Sequence, residues 1–348
     1  MKVTRREARQ LEDLFQHWQG QKVISAEQAE RMRASLEVVW FDWRRLARYL
    51  LWAAIACVVI GIGALAASAL FAPLLALYKA LPYFVRALLL GAGALGLLSL
   101  GWLRRQQHPE RVYSNEVPNF FAALVLAEAL RNLVAPWATG SLAGVAAFCV
   151  FTGLIYLGLA ATLESGLIWL FGLVTLGGAL GAETGYMSGA GSYFLGMPVP
   201  LLFVAFGLGL LGATPLMTAP ALTRFVHITR VMGLLYLFVA LWILSIFGNM
   251  QGYQTWHEAS HLELLAWSLL FAGAAGGALW YGVKHDDGLS RGFGLTFLFI
   301  NLYTRFFEYF WNSLHKGVFF TLLGLSLWYL GSRAEKLWIN GETTEPKP

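Results

Sequence analysis

The sequence predicts an all-α fold, in which a polytopic transmembrane helical bundle follows a small cytoplasmic helical hairpin. Of the 348 residues, 57% are hydrophobic and 13% are charged, and the mean hydropathy is +0.58. Soluble globular proteins carry roughly 25% charged residues, so the chain is predicted to reside in a membrane. This composition also excludes an intrinsically disordered chain and most soluble enzyme folds. Two cysteines are too few for a disulfide-stabilised scaffold.

Residues 1–45 are predicted to form the hairpin. One helix carries apolar side chains at the i, i+3, i+4 and i+7 spacing of a single face, namely Leu11, Leu14, Phe15 and Trp18. Gly20 ends this helix, and Ser25 with Gln28 forms a capping box that starts a second one. Nine basic and seven acidic residues give the segment a net charge of +2, which is too small for a phosphate-binding surface. We therefore expect no nucleic-acid partner; the hairpin either docks a protein partner, oligomerises or caps the bundle.

Ten segments approach the roughly 20 apolar helical residues that a bilayer core of about 30 Å requires. In order, they are 46–70, 83–103, 117–134, 141–162, 166–182, 193–217, 225–247, 262–283, 293–311 and 316–332. The third and ninth segments are short and carry charges, so the predicted count falls to eight if both lie at the interface. The bundle thus covers 46–332 and leaves 333–348 as a cytoplasmic tail.

The distribution of Lys and Arg sets the predicted orientation, because positively charged loops near span ends stay in the cytoplasm. With both termini inside, 20 of the 25 Lys and Arg residues lie in cytoplasmic segments; the others are Lys79, Arg86, Arg131, Arg305 and Lys316. This bias accounts for the net charge of +5. The first apolar run begins near Leu46, so we expect no cleavable signal peptide. In a bacterium the predicted location is the cell inner membrane, with the lipid bilayer around the bundle.

Small residues are predicted to form the packing seams of the bundle, because helices in lipid associate where their backbones approach closely. Glycines at suitable spacing occur in the second, fifth, sixth and eighth spans: Gly91, Gly93, Gly96, Gly177, Gly181, Gly207, Gly209, Gly212, Gly273, Gly276 and Gly277. Charged residues near span ends are expected to reach lipid headgroups or water, namely Arg86, Glu164, His227 and Arg230.

Ionisable residues inside two spans are the strongest functional signal, because each costs roughly 2.5–3.5 kcal/mol at the centre of a membrane when unpaired. The third span carries Glu128, Arg131 and Asn132, and the ninth carries Asn301, Arg305 and Glu308. In each span the acid and the base lie three residues apart, so they share one helix face and can neutralise each other. The two spans run in the same predicted direction and place these charges at similar depth. We therefore predict one polar cluster that joins the third and ninth spans.

Two roles are compatible with such a cluster. It is either a structural clamp between helices or the lining of a polar cavity for an ion, a proton or an anionic substrate, as in transporters. The leading hypothesis is a transporter-like protein for a small solute or ion, with an outer-half polar cavity. The alternative is a non-catalytic membrane scaffold or assembly subunit that recruits a partner through the hairpin. Since no G-x-x-x-x-G-K-[ST] motif occurs, ATP-driven transport by this chain alone is not expected.

The string from His257 to His261 matches H-E-x-x-H, in which two histidines bind zinc and Glu258 would act as general base. Such a site needs a third protein ligand. The nearest downstream group starts at His285, 24 residues after His261, which is about 36 Å along a helix and on the other side of the membrane. We therefore predict no metal and no cofactor, and we regard a non-enzymatic protein as favoured, with a zinc metalloprotease as a minor alternative.

Both ends of the chain resemble a known family. Residues 301–311 (NLYTRFFEYFW), 316–325 (KGVFFTLLGL) and 20–30 (GQKVISAEQAE) resemble bacterial membrane proteins classed as domain of unknown function 2157. The resemblance implies a polytopic inner-membrane protein with a cytoplasmic helical head and no established reaction. Arg305 and Glu308 match the R-F-x-E-Y-F-like segment of that family, whereas residues 257–261 have no counterpart in it.

Exchange of charges tests whether the two spans meet. Glu128→Arg and Arg305→Glu are each expected to lower the abundance of folded protein, because each leaves a like-charged pair in the membrane. The double variant should recover part of that loss. Membrane abundance measured by immunoblotting checks this, and a double variant no better than the singles would contradict the predicted pairing.

Overall fold

The computed structural model describes residues 2–35, 37–39, 72–136, 142–183, 193–194, 197–248, 261–311 and 314–342, together with positions 49–50, 53–54, 56–58, 60–61 and 64. Helices dominate these residues. The chain divides into two compact units, 1–137 and 138–348, which are described separately.

Among its described residues, the first unit begins with two strands that bracket two helices and contains three further helical stretches after residue 71. These are β1 (Lys2–Thr4), α1 (Arg5–Gly20), α2 (Ala26–Ala34), β2 (Glu37–Val39), α3 (Ala72–Ala80), α4 (Tyr83–Gln107) and α5 (Val112–Val134). β1 and β2 form a short parallel pair that the sequence pattern does not predict. α4 and α5 pack against each other along their length.

The start of α2 confirms the predicted capping box. The Ser25 hydroxyl accepts from the Gln28 backbone N–H at 3.1 Å, and the Gln28 side chain accepts from the Ser25 N–H at 2.8 Å. An ion pair of 2.8 Å between Arg33 and Glu12 links α2 to α1, and the hydrogen bond from Arg33 holds the pKa of Glu12 below its usual range. Phe15 is buried, as the apolar spacing predicts.

The second unit contains eight helices and one short antiparallel strand pair among its described residues. The elements are α6 (Leu142–Leu163), α7 (Gly166–Glu183), β3 (Tyr193–Phe194), β4 (Met197–Pro198), α8 (Val199–Ala213), α9 (Pro220–Thr223), α10 (Val226–Phe247), α11 (His261–Lys284), α12 (Gly288–Phe310) and α13 (Lys316–Glu342). A single 3₁₀ turn, Thr214–Leu216, follows α8.

Six helices among the described residues are long and apolar enough to cross a membrane. They are Tyr83–Gln107, Tyr113–Val134, Gly144–Leu163, Val199–Leu216, Val226–Phe247 and Leu264–Lys284, and they coincide with the second, third, fourth, sixth, seventh and eighth predicted spans. Six such helices indicate a multi-pass membrane protein. The described parts of the fifth and tenth spans are shorter apolar helices, Gly166–Gly181 and Lys316–Ser326.

The first and ninth predicted spans differ from the other eight. α12 covers the ninth span but is not among the six apolar helices, and it carries Arg291, Arg305 and Glu308. Most of the first span, 46–70, lies outside the described residues. The described positions within it are helical.

α10 occupies the centre of the second unit. It packs against α8, α11, α12 and α7, and its apolar face supplies Leu234, Phe238, Leu241 and Leu244 to the core. Phe238 stacks on Phe297 of α12 at 5.0 Å between ring centroids. Aromatic packing thus fixes α10, α11 and α12 together between their two ends.

Close helix contacts occur at glycines, but mostly not at those predicted from spacing. A Cβ at Gly207 would lie 2.7 Å from the Gly233 carbonyl oxygen, and Gly153 and Gly172 face each other in the same way between α6 and α7. Gly177, which meets the Tyr236 hydroxyl, and Gly207 are the predicted glycines in tight contact. Most of the others have no atom of the described residues within 4 Å of a Cβ position: Gly91, Gly96, Gly181, Gly209, Gly212, Gly273, Gly276 and Gly277. Spacing shows that small residues share a face but not which neighbour covers it, so seams at these glycines stay predictions.

Substitution of two glycines of α8 separates a packed position from an open one. Gly207→Ala is expected to lower stability by about 1–3 kcal/mol, because the added Cβ forces the α10 backbone away. Gly209→Ala should leave stability unchanged or slightly raise it, since alanine favours helix over glycine. Thermal unfolding of the purified protein in detergent measures both, and equal effects would contradict the packing described for α8 and α10.

Candidate functional site

The predicted site residues fall into two polar clusters, one in each unit. The Glu128 cluster comprises Tyr78, Glu128, Arg131 and Asn132 in the first unit. The Arg305 cluster comprises Ser245, Arg305 and Glu308 in the second. Because the units are described separately, the predicted joining of the third and ninth spans stays a prediction. Within each span, the neutralisation of acid by base three residues away is confirmed.

The Glu128 carboxylate is the centre of its cluster. Arg131 donates from Nε to Oε2 at 2.7 Å and from Nη2 to Oε1 at 2.5 Å. Oε1 also accepts from the Tyr78 hydroxyl at 2.8 Å and from Asn132 Nδ2 at 3.0 Å. Four donors therefore surround one carboxylate, so its negative charge is compensated locally.

Tyr78 belongs to the cluster although the sequence analysis did not identify it. It lies on α3, outside the predicted spans, and its hydroxyl also accepts from Asn132 Nδ2 at 2.9 Å. Arg86 fixes the turn after α3: it donates to the carbonyls of Lys79 and Leu81 at 2.8 Å and lies over the Tyr78 ring at 5.1 Å. Arg86 is thus bound to protein groups and does not simply extend to headgroups as expected. The sequence evidence for Tyr78 is a tyrosine near the start of a span, and such tyrosines are too common to identify a site residue.

The Glu128 cluster has the features of a structural clamp. It ties α3 to α5 through a neutral Tyr, a neutral Asn and one compensated ion pair. Asn132 is fully buried, whereas the side chains of Arg131 and Glu128 are 53% and 37% exposed. The charged groups therefore lie towards the surface of the unit. The uncharged Asn132 and Tyr78 form the hydrogen bond between α5 and α3.

The Arg305 cluster is more deeply buried and less completely bonded. The side chains of Arg305 and Glu308 are 12% and 22% exposed, and they form an ion pair. Arg305 Nη2 donates to the Ser245 backbone carbonyl in the last turn of α10 at 2.6 Å. Nη1 contacts Glu308 without hydrogen-bond geometry, and Nε has no acceptor within the described parts of the chain. A guanidinium carries five N–H donors, so much of the capacity of this one is unused.

Neighbouring polar residues of α12 are all engaged with other helices. Asn301 and Ser268 of α11 form two hydrogen bonds, of 2.9 and 3.0 Å, and both residues are buried. Thr304 accepts from the Trp242 indole of α10 at 3.0 Å, and Tyr303 meets Ser326 of α13 at 3.3 Å. Asn301, predicted as a member of the cluster, therefore holds α11 to α12.

Charged residues also meet at the amino-terminal end of α10. Arg230 pairs with Asp287, which additionally accepts from Ser290 at 2.6 Å. Burial raises the pKa of Asp287, but the hydrogen bonds from Ser290 and Arg230 outweigh it and hold the pKa below its usual range. Arg224 pairs with Glu164 in the turn between α6 and α7. Glu164 and Arg230 are thus partly exposed, and both also form ion pairs with residues outside their own helices.

The H-E-x-x-H string lies almost wholly outside the described residues, since 257–260 are not described and His261 begins α11. Among the residues that are described, no group of three or more His, Cys, Asp or Glu could hold a metal ion. The proposed zinc ligation by His257 and His261, and the role of Glu258, stay predictions.

Comparison of the chain with models of protein families, with curated proteins and with solved structures finds no match. The resemblance to the domain of unknown function 2157 therefore stays a prediction. The geometry of the two clusters carries the functional argument.

A double-mutant cycle measures the clamp in the first unit. Tyr78→Phe removes one donor to Glu128 and one acceptor for Asn132, so we expect a loss of about 1 kcal/mol of stability. In a Glu128→Ala background the same change should lower stability much less, because the carboxylate that accepts from the Tyr78 hydroxyl is then absent. Tyr83→Phe is the matched control, since the Tyr83 ring contacts Arg86 through its face. Identical costs of Tyr78→Phe in both backgrounds would contradict the hydrogen bond as a stabilising contact.

Proposed function

We propose that this protein is a multi-pass membrane transporter-like protein that binds a small anionic solute, with Arg305 as its binding residue. The observation that carries the proposal is the largely buried Arg305 guanidinium, whose Nε has no acceptor among the described residues. A charge in the membrane interior is costly unless its donors are satisfied. An anionic group of a solute would supply the missing acceptors.

The contrast between the two clusters supports different roles for them. The Glu128 carboxylate accepts from four donors and is partly exposed. Arg305 is more buried, yet it makes one hydrogen bond and one ion pair. A purely structural arginine gains most when its planar fork is fully used. We therefore assign the clamp role to the Glu128 cluster and the binding role to the Arg305 cluster.

The proposed orientation places both termini in the cytoplasm of a bacterium, with ten spans in the inner membrane. The carboxy-terminal ends of α10 and α12 then face the outside, and Arg305 lies in the outer half of the membrane. Support comes from the distribution of Lys and Arg, which keeps positively charged loops inside. An electropositive group near the outer face would attract anions from that side.

An alternative function is a non-catalytic scaffold or assembly subunit. It is favoured by the exposure of apolar side chains on the amino-terminal helices and the turn between them, where Leu14, Val23 and Met32 are 41%, 64% and 40% exposed. A protein partner docked there would cover them. In that case Arg305 would only lock helices, and the cluster would be dry.

Cysteine labelling distinguishes the two functions. In a Cys57→Ser, Cys149→Ser background, Ser245→Cys places a fully buried thiol on the residue whose backbone carbonyl accepts from Arg305. A charged methanethiosulfonate can reach this thiol only through water that enters the cluster. We expect labelling from outside, with an anionic reagent favoured over a cationic one by about tenfold relative to the exposed His315→Cys. Arg305→Gln should abolish that preference.

Ser268→Cys on α11 is the matched control, because Ser268 is also buried but is bonded to Asn301 of α12. It should stay unlabelled. If Ser245→Cys is also unlabelled by both reagents, the cluster is dry and the transporter-like function is wrong. Labelling without a charge preference would contradict the assignment of Arg305 to anion binding.

A further inference from the structure

We infer that Arg224 and Arg230, at the two sides of the start of α10, close the inner end of the solute path. They do so by holding the acidic turns between α6 and α7 and between α11 and α12 against α10. This inference rests on the proposed function, because a closure matters only if a path leads to Arg305. It names the part of the second unit that would have to open for release to the cytoplasm.

The two ion pairs join three separate parts of the second unit. Arg224 binds Glu164 in the α6–α7 turn, and Arg230 binds Asp287 in the α11–α12 turn. Asp287 is further held by Ser290 of α12, and its side chain is 18% exposed. Both basic residues therefore come from the α10 region, and both acids come from turns that precede the next helix.

An apolar layer lies directly beneath these pairs. The indole of Trp169 on α7 stacks on Phe225 with ring centroids 4.5 Å apart and planes within 3°. Its Nε1 donates to Thr229 Oγ1 of α10 at 2.9 Å. Phe225 and Thr229 are 1% and 2% exposed. Charged pairs at the surface over a tightly packed aromatic layer exclude water from this end.

The opposite ends of α10 differ in the way that alternating access requires. Arg230 and Ser245 lie fifteen residues apart, which is about 22 Å along a helix. At the Arg230 end the charges are paired, whereas at the Ser245 end the Arg305 Nε has no acceptor among the described residues. A bundle that is closed at one end and able to bind at the other fits a transporter whose site is open to one side at a time.

The closure can open without unfolding the unit. Partly exposed ion pairs contribute little to stability, so they can break and re-form at small cost. α11 and α12 stay together when they do, because a Cβ at Gly294 would lie 2.7 Å from the Ala275 carbonyl oxygen and backbone contact is equally tight at Gly282. Release of Asp287 from Arg230 would therefore move α11 and α12 as one pair.

Labelling of Met232 from the cytoplasmic side tests the closure. Met232 follows Phe225 and Thr229 on one face of α10 and is 7% exposed. In the cysteine-free background, Met232→Cys in inside-out vesicles should react slowly with an impermeant methanethiosulfonate. Arg230→Asp should raise the rate about tenfold by placing two acids together. The exchange Arg230→Asp with Asp287→Arg should restore slow labelling.

Arg291→Asp is the control, because Arg291 pairs with Asp286 of the same turn at 3.5 Å and both side chains are well exposed. It should not change the rate. Arg224→Gln gives a milder variant if Arg230→Asp does not fold, and it should also raise the rate. An unchanged rate in both, or an equal rise with Arg291→Asp, would overturn the closure. Labelling of Ser245→Cys in right-side-out vesicles separates the two proposals: if that thiol is reached from outside while Met232→Cys in inside-out vesicles is never labelled faster, only the closure is wrong.

Discussion

The hydrocarbon interior of a membrane offers no hydrogen-bond partner, so each polar side chain of a spanning helix has to find its partner within the protein. α12, which is predicted to be the ninth span, has three polar residues with partners of this kind. Asn301 bonds to α11, Thr304 to α10 and Tyr303 to α13. One polar residue per neighbouring helix is enough to fix the position of α12 in its unit. Arg305 differs from these residues, because its bonding is incomplete in the described part of the chain. This difference distinguishes a binding role from a purely structural one.

Features that depend on residues close in sequence could be predicted. The capping box of Ser25 and Gln28 and the pairing of Glu128 with Arg131 follow from spacing along one helix. Most spans were predicted because length and hydropathy are local properties. α12 shows the limit of that approach, since its polar face places it below the hydropathy of the six apolar helices. It is nevertheless a helix of 23 residues.

Features that depend on contacts between distant segments could not be predicted. Tyr78 approaches Glu128 across 50 positions, and Arg305 reaches a backbone carbonyl at Ser245 that carries no sequence signal. Glycine spacing does not identify contacts for the same reason, because a small residue on α4 or α11 faces lipid as readily as a neighbouring helix. The partner of Arg230 is Asp287, which lies in the turn between two other helices and is 57 residues away. Only the packing of whole helices decides these contacts.

The parallel pairing of β1 with β2 has a bearing on how the amino terminus can be used. Lys2–Thr4 lie beside Glu37–Val39, and the first predicted span starts seven residues after Val39. Even a fully extended link of that length covers only about 25 Å. A fluorophore or affinity tag fused ahead of residue 2 is thereby carried close to the predicted start of the first span. At that span the label would report on the bilayer surface.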